Sequence, residues 1–169
     1  MPHLDAAYRF ARWLSRSPDD ADDLVQDAIL RAFRGFDTLR GSNVKAWLLT
    51  IVRNCHSTLL KRRQRDSLQP LPEEKETQEG HSLVAEDPGP ESTAILADER
   101  RSLQQVMQAL PAEYREILIL REMEDMEYRE IAQVIGAPMG TVMSRLARAR
   151  AALKKHWLLL HPGKAHAAP

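Results

Sequence analysis

Four side chains near the C-terminal end combine hydroxyl and guanidinium groups at helical spacing: Thr141, Ser144, Arg145 and Arg148. Steps of three, one and three residues place them on one face of a helix. Arginine, serine and threonine donate hydrogen bonds to base edges and phosphates. No carboxylate occurs from Ile131 to Pro169, whereas a merely solvated helix normally mixes charges of both signs. The pattern therefore favours DNA recognition over a solvated surface.

The elements around this face predict a helix-turn-helix. A short helix from Tyr128 to Ile135 ends at Gly136-Ala137-Pro138, and a second helix runs from about Met139 to Trp157. Apolar residues of the second helix recur at steps of four, three and four: Val142, Leu146, Ala149 and Leu153. Two short helices joined by a glycine-containing turn are typical of this motif. Glu127 precedes the first helix where serine would be a better N-cap, which weakens the case for a capped start.

A second basic surface is predicted on a helix that runs from about Asn43 to Arg65. Its exposed face carries Lys45, Arg53 and Asn54, and a further cluster lies at its end: Lys61, Arg62, Arg63 and Arg65. A polar loop with turn chemistry precedes it: Arg40, Gly41, Ser42 and Asn43. Cations at a helix C-terminus also interact favourably with the helix dipole. The cluster alone therefore fits a solvated helix end as well as a nucleic-acid surface.

Two more helices are predicted nearer the N-terminus. The first spans about Leu4 to Leu14, and Ser17 with Pro18 supplies an N-cap and a first-turn proline for the second. The aspartates that follow fit the positive end of the helix dipole better than they fit a metal site: Asp19, Asp20, Asp22 and Asp23. The predicted apolar face of the second helix comprises Leu24, Val25, Ala28, Ile29, Ala32 and Phe33.

Charge is distributed unevenly along the 169 residues, although Lys plus Arg and Asp plus Glu both number 24. Residues 1–68 carry a balance of +4, residues 69–98 of −7 and residues 99–169 of +3. The acidic stretch from 69 to 91 holds four prolines, two glycines and no aromatic residue. Such a composition offers too little apolar surface to offset chain ordering. We therefore expect a flexible linker over 69–94 between two basic segments.

Several protein classes are excluded by absent patterns. No apolar run approaches the ~20 residues of a bilayer span, the N-terminus lacks a secretory signal, and Cys55 is the only cysteine. We also find no Gly-rich phosphate loop, nucleophile elbow or paired-His motif. These absences predict a soluble cytoplasmic protein that is not an enzyme, with no catalytic residue, metal or cofactor. The His-containing tail, 161–169, is expected to be disordered.

Three sequence blocks, in order, resemble bacterial sigma factors. Residues 22–33 resemble their core-binding region and residues 46–54 their promoter-melting region. Three short stretches resemble their second DNA-binding domain: residues 110–116, 128–132 and 140–146. Together they look like an extracytoplasmic-function sigma factor, over about residues 4–67 and 95–157. The resemblance implies an all-α fold of two small helical domains: region 2 over 1–68 and, after the acidic linker, region 4 with its helix-turn-helix over 95–160.

The resemblance also implies partners and roles. RNA polymerase core, through its beta and beta-prime subunits, would be bound by Asp23, Gln26, Asp27 and Arg31. The downstream (−10) element would be captured and melted by Arg40, Gly41, Ser42, Asn43, Lys45, Arg53, Asn54, Arg62 and Arg63. The upstream (−35) element would be read by Thr141, Met143, Ser144, Arg145 and Arg148. The free protein would be a monomer, and an anti-sigma factor would wedge between its domains.

Two residues in these blocks carry qualified assignments. Trp47 alternates with core positions, which favours a structural role over base stacking. Met143 cannot make the bidentate guanine contact of an arginine. An ordinary helix-turn-helix regulator that is not a polymerase subunit is the alternative, although its dimer helix would have only His156 to Leu160 available.

Overall fold

The structure, a computed structural model, describes residues 3–15, 17–39, 43–66 and 90–162. Every regular element within these ranges is helical, which confirms the predicted all-α class. No helix in the described part of the chain is long and apolar enough to span a bilayer. The predicted loop residues Arg40, Gly41 and Ser42, the linker up to residue 89 and the tail beyond residue 162 lie outside the described residues.

The N-terminal bundle consists of three helices: α1 (Leu4–Leu14), α2 (Pro18–Arg34) and α3 (Val44–Asp66). The Ser17 hydroxyl accepts a hydrogen bond from the Asp20 backbone N–H at 3.1 Å, and Pro18 occupies the first turn. This confirms the predicted start of α2. Fully buried side chains of α1 and α3, among them Phe10, Leu49 and Val52, form the centre of the bundle.

The C-terminal bundle consists of α4 (Pro90–Ala109), α5 (Ala112–Leu118), α6 (Tyr128–Ile135) and α7 (Met139–Leu160). A π-helical turn, Ile119–Met123, continues α5. The first five residues of helix α4 fall within the predicted linker, and a proline occupies its first position, where proline is favoured. Helix α7 extends to Leu160, beyond the predicted Trp157.

The helix-turn-helix of α6 and α7 is present where the sequence predicts it. Gly136 adopts a left-handed conformation with φ of 65° and ends α6, a conformation that favours glycine. The start of α6 is better capped than expected, because the Glu130 carboxylate accepts a hydrogen bond from the Glu127 backbone N–H at 2.7 Å. Of the residues predicted to face inward along α7, Val142, Leu146 and Ala149 are buried and Leu153 is partly buried.

The two bundles pack directly against each other. Helix α1 contacts α5 and its π-helical turn, and α3 contacts α6. Buried apolar residues of both bundles belong to one continuous cluster. The contact also buries carboxylates of the C-terminal bundle, Glu116 and Glu124. The sequence does not reveal this packing, because the residues that meet are separated by the linker.

Candidate nucleic-acid and protein interfaces

The outward face of α7 forms the first candidate surface. Met143, Ser144 and Arg148 are exposed, and Thr141 is half-buried. The Ser144 hydroxyl donates to the Thr141 carbonyl at 3.2 Å, and Arg148 Nε donates to the Ser144 carbonyl at 3.3 Å. These bonds hold polar groups close to the helix surface and leave them reachable from solvent. The face thus offers hydroxyl, thioether and guanidinium groups side by side.

Arg145 lies at the edge of this face. Its guanidinium is 3.4 Å from the Glu113 carboxylate on α5, and only 21% of its side chain is exposed. The sequence placed Arg145 with Ser144 and Arg148 on a free surface. The structure instead turns its side chain toward α5, where its guanidinium pairs with Glu113. Arg150 is held similarly, with its guanidinium 2.6 Å from the Glu122 carboxylate.

The α3 surface carries the residues predicted to bind the downstream promoter element. The Asn43 side-chain oxygen accepts the Ala46 backbone N–H at 2.9 Å, so Asn43 caps α3. Asn54 is exposed, whereas the Lys45 and Arg53 side chains are each only 28% exposed. Asn43, Lys45 and Arg53 all contact the C-terminal bundle.

The partners of these three residues are carboxylates. Lys45 Nζ lies 3.0 Å from the Glu124 carboxylate and donates to the Glu124 backbone carbonyl at 2.6 Å. Arg53 Nε donates to Glu116, and the Asn43 amide donates to Glu130. Burial raises the pKa of Glu116 above its ordinary value, although the neighbouring Arg53 opposes the shift. Sequence reasoning missed all three carboxylates, because no local pattern distinguishes them from other surface glutamates.

Arg62 and Arg63, the candidate residues at the end of α3, have partners within the N-terminal bundle. Arg63 donates two hydrogen bonds to Asp20 at the start of α2, one of them at 3.1 Å. This ion pair lowers the pKa of Asp20 and ties the end of α3 to α2. Arg62 is exposed and lies 4.0 Å from Asp66. Trp47 is half-buried and packs edge-on against Phe36, with ring centroids 6.3 Å apart, which agrees with a structural role.

The outer face of α2 forms the third candidate surface. Asp23 and Gln26 are exposed. Asp27 and Arg31 form an i,i+4 ion pair at 2.9 Å, with each side chain about half exposed. The polar residues predicted to bind a protein partner therefore lie together on one accessible face.

Apolar side chains adjoin that face. Phe33 was predicted to be part of the buried stripe of α2, but 64% of it is exposed. Leu30 and Phe36 are likewise exposed, at 55% and 62%. Phe33 faces outward because the smaller residues Ala28 and Ala32 fill the contact with α1 and α3. Clustered exposed apolar residues typically mark a protein-binding surface, and their spacing of three could have indicated it.

Comparison with known proteins adds independent information. Residues 1–66 match the family Sigma-70 region 2, and residues 100–153 match Sigma-70, region 4. The chain is 35% identical over 156 residues to the ECF RNA polymerase sigma factor SigE of Mycolicibacterium smegmatis, which covers 91% of this chain and 58% of that protein. It is 37% identical over 145 residues to the ECF RNA polymerase sigma factor EcfG of Rhodopseudomonas palustris, and the aligned part covers 85% of this chain and 75% of that protein.

A solved structure agrees with the sequence relatives. The sigma factor RpoE from Bartonella quintana, crystallised in complex with the anti-sigma factor NepR, superposes with a TM-score of 0.70 at 33% identity and covers 92% of this chain and 91% of that one. The superposition thus spans nearly the whole of both chains. The chain belongs to the family of extracytoplasmic-function RNA polymerase sigma factors.

Proposed function

We propose that this chain binds the core of RNA polymerase and directs it to promoters. The observation that carries the proposal is the α7 face, which is polar and basic and has no carboxylate from residue 131 onward. It is joined in one chain to a bundle with a separate protein-binding surface on α2. Polymerase catalyses RNA synthesis in this scheme, and we assign this chain no catalytic role. It would act in the cytoplasm, as a monomer when free.

The core-binding surface is assigned to the outer face of α2. Asp23, Gln26, Asp27 and Arg31 supply charged and polar contacts to the beta and beta-prime subunits. Leu30, Phe33 and Phe36 add an exposed apolar patch beside them. An apolar centre with a polar rim is the usual anatomy of a protein interface.

The DNA contacts are divided between the two bundles. Helix α3 and the loop before it would capture the downstream element, and α7 would read the upstream element in the major groove, as the second helix of this motif does. Extrusion of a base from the stack costs a few kcal/mol, which a fitted pocket and phosphate contacts would offset. An anti-sigma factor is a further proposed partner, because the related RpoE was solved with one.

Run-off transcription tests the proposal. Purified core polymerase would be assayed with and without this chain on a mixed library of bacterial promoter fragments. We expect discrete transcripts only when both are present. A chain that binds DNA fragments specifically but neither co-purifies with core nor yields transcripts would instead be a regulator outside polymerase.

A control variant makes the test specific. Asp27→Ala with Arg31→Ala removes an exposed ion pair from the proposed core surface. Arg62→Ala with Asp66→Ala removes another exposed i,i+4 pair from α3, at 4.0 Å. Only the first variant should lose binding to core in the absence of DNA. Equal losses for both variants would contradict the assignment of the α2 surface.

A further inference from the structure

Three carboxylates of the C-terminal bundle accept hydrogen bonds or ion pairs from basic and amide side chains of the N-terminal bundle. The Glu124 side chain is fully buried, at 0% exposure. Its carboxylate forms ion pairs with Arg9 Nε at 2.9 Å and with Lys45 Nζ at 3.0 Å. The Glu116 side chain is 9% exposed and forms an ion pair with Arg53. Glu130 receives the Asn43 amide. Each contact joins residues at least 63 positions apart, so all of them exist only while the bundles are packed together.

We propose that this interface is an autoinhibitory latch, in which carboxylates of the C-terminal bundle occupy the donors with which α3 would bind the downstream promoter element. The inference rests on the proposed function, since it concerns the same DNA-binding residues. Carboxylates and phosphates are both anionic acceptors, and both pair strongly with guanidinium and ammonium groups. The donors of Lys45 and Arg53 cannot be directed at both at once. In the closed chain Lys45 and Arg53 are therefore occupied, while Met143, Ser144 and Arg148 of α7 remain exposed.

The ionic part of the interface favours opening when a competitor arrives. Burial of an ion pair costs desolvation energy that offsets much of the attraction between the charges. When the bundles separate, Glu116 and Glu124 regain water and the cations of α3 gain nucleic acid. Opening breaks the ion pairs between the bundles, but hydration of the carboxylates and binding of the cations to nucleic acid compensate for much of that lost attraction. Such a contact is suited to a switch and less suited to a permanent joint.

Neutralising the carboxylates of the full-length chain tests the latch. Glu116→Gln with Glu124→Gln retains side-chain shape but removes two buried charges. Asp22→Asn with Asp125→Asn makes the same change in net charge at two exposed positions. The probe is a fluorescein-labelled, mixed-sequence single-stranded DNA of about 20 nucleotides, long enough for an electrostatic groove. The radius of gyration, from small-angle scattering, reports separation of the bundles.

The buried double variant should bind the probe about tenfold or more tightly than wild type, because loss of one partner strongly destabilises a buried pair. Its radius of gyration should rise. The exposed double variant should show only the small gain due to its added net charge. Equal affinity in the two double variants, or a radius of gyration unchanged from wild type in the buried one, would overturn the proposal.

Arg9→Gln provides a second test that does not alter the buried carboxylates. Half of the Arg9 side chain is exposed, so the bundle should tolerate the change. Loss of a cation ordinarily weakens nucleic-acid binding, but here it deprives Glu124 of a partner and should tighten binding. Weaker binding would overturn the latch. The proposed function fails separately: a chain that opens as described but supports no transcription with core refutes that function and leaves the latch intact.

Discussion

Arg145 offers the sharpest test of how this chain reads the upstream element. Its guanidinium lies 3.4 Å from the Glu113 carboxylate, and in the proposed promoter complex it would turn from Glu113 to the DNA groove beside α7. We assign Arg145 to a base and Arg148 to a phosphate, because Arg145 lies nearer the N-terminus of the recognition helix, which enters the groove most deeply. The two roles differ in their dependence on sequence and on salt.

The structure sets the size of each effect. The Arg145 side chain is 21% exposed and that of Glu113 is 55% exposed, so breaking their ion pair costs about 0–1 kcal/mol. A bidentate guanine contact contributes about 1–3 kcal/mol of discrimination. Arg145→Ala should therefore weaken binding to the selected upstream element by up to roughly 100-fold. The accompanying loss of sequence preference should be confined to one base pair. Glu113→Gln removes the competitor and should tighten binding by up to about fivefold.

The assay is a binding titration of holoenzyme, assembled from core polymerase and each variant. An upstream element is first selected from random duplexes, and every single-base change is then titrated at two salt concentrations. Arg148→Ala should weaken all sequences equally and reduce the salt slope by about one unit. Arg150→Ala, which removes an equal charge from α7 at the residue paired with Glu122, serves as the control.

One result would refute the reasoning. If Arg145→Ala weakens every sequence uniformly and preference at each base pair survives, Arg145 does not read a base. If Glu113→Gln changes nothing as well, Arg145 remains at α5 in the complex and its role is structural.

Three further predictions concern binding and stability. Asp27→Ala with Arg31→Ala should reduce co-purification with core while circular dichroism stays unchanged, because an exposed i,i+4 pair contributes only about 0.3–0.5 kcal/mol to its helix. Leu49→Ala should lower the free energy of unfolding in urea by about 2–5 kcal/mol, since Leu49 is 0% exposed; Leu60→Ala, on the same helix but 47% exposed, should cost far less, and equal costs would contradict the assigned core. Burial and the charge of Arg115 lower the pKa of His56 below its ordinary 6.5, so the unfolded chain takes up a proton first as the pH falls. Stability should decline below about pH 6.5, and His56→Gln should flatten that decline; an unchanged decline in urea titrations would remove His56 as its cause.

Local sequence patterns determine much of the secondary structure of this protein. The apolar spacing of α7, the serine and proline before α2, and the glycine after α6 each act within a few residues along the chain. Such signals do not depend on what lies across the molecule, so the helices, the helix-turn-helix and the family resemblance could be predicted directly. The boundaries were predicted less closely, since α4 begins within the predicted linker and α7 extends beyond Trp157.

Only the tertiary structure decided which charged and apolar side chains face a partner. Phe33 has the spacing of a core residue yet is exposed, because the smaller side chains of α2 already fill the space against α1 and α3. Glu116 and Glu124 resemble surface glutamates in sequence but are buried against Arg53 and Lys45. A helical period specifies the angle of a side chain about its own axis. What lies opposite that side chain depends on residues far away in the chain, and only packing of the two bundles brings them together.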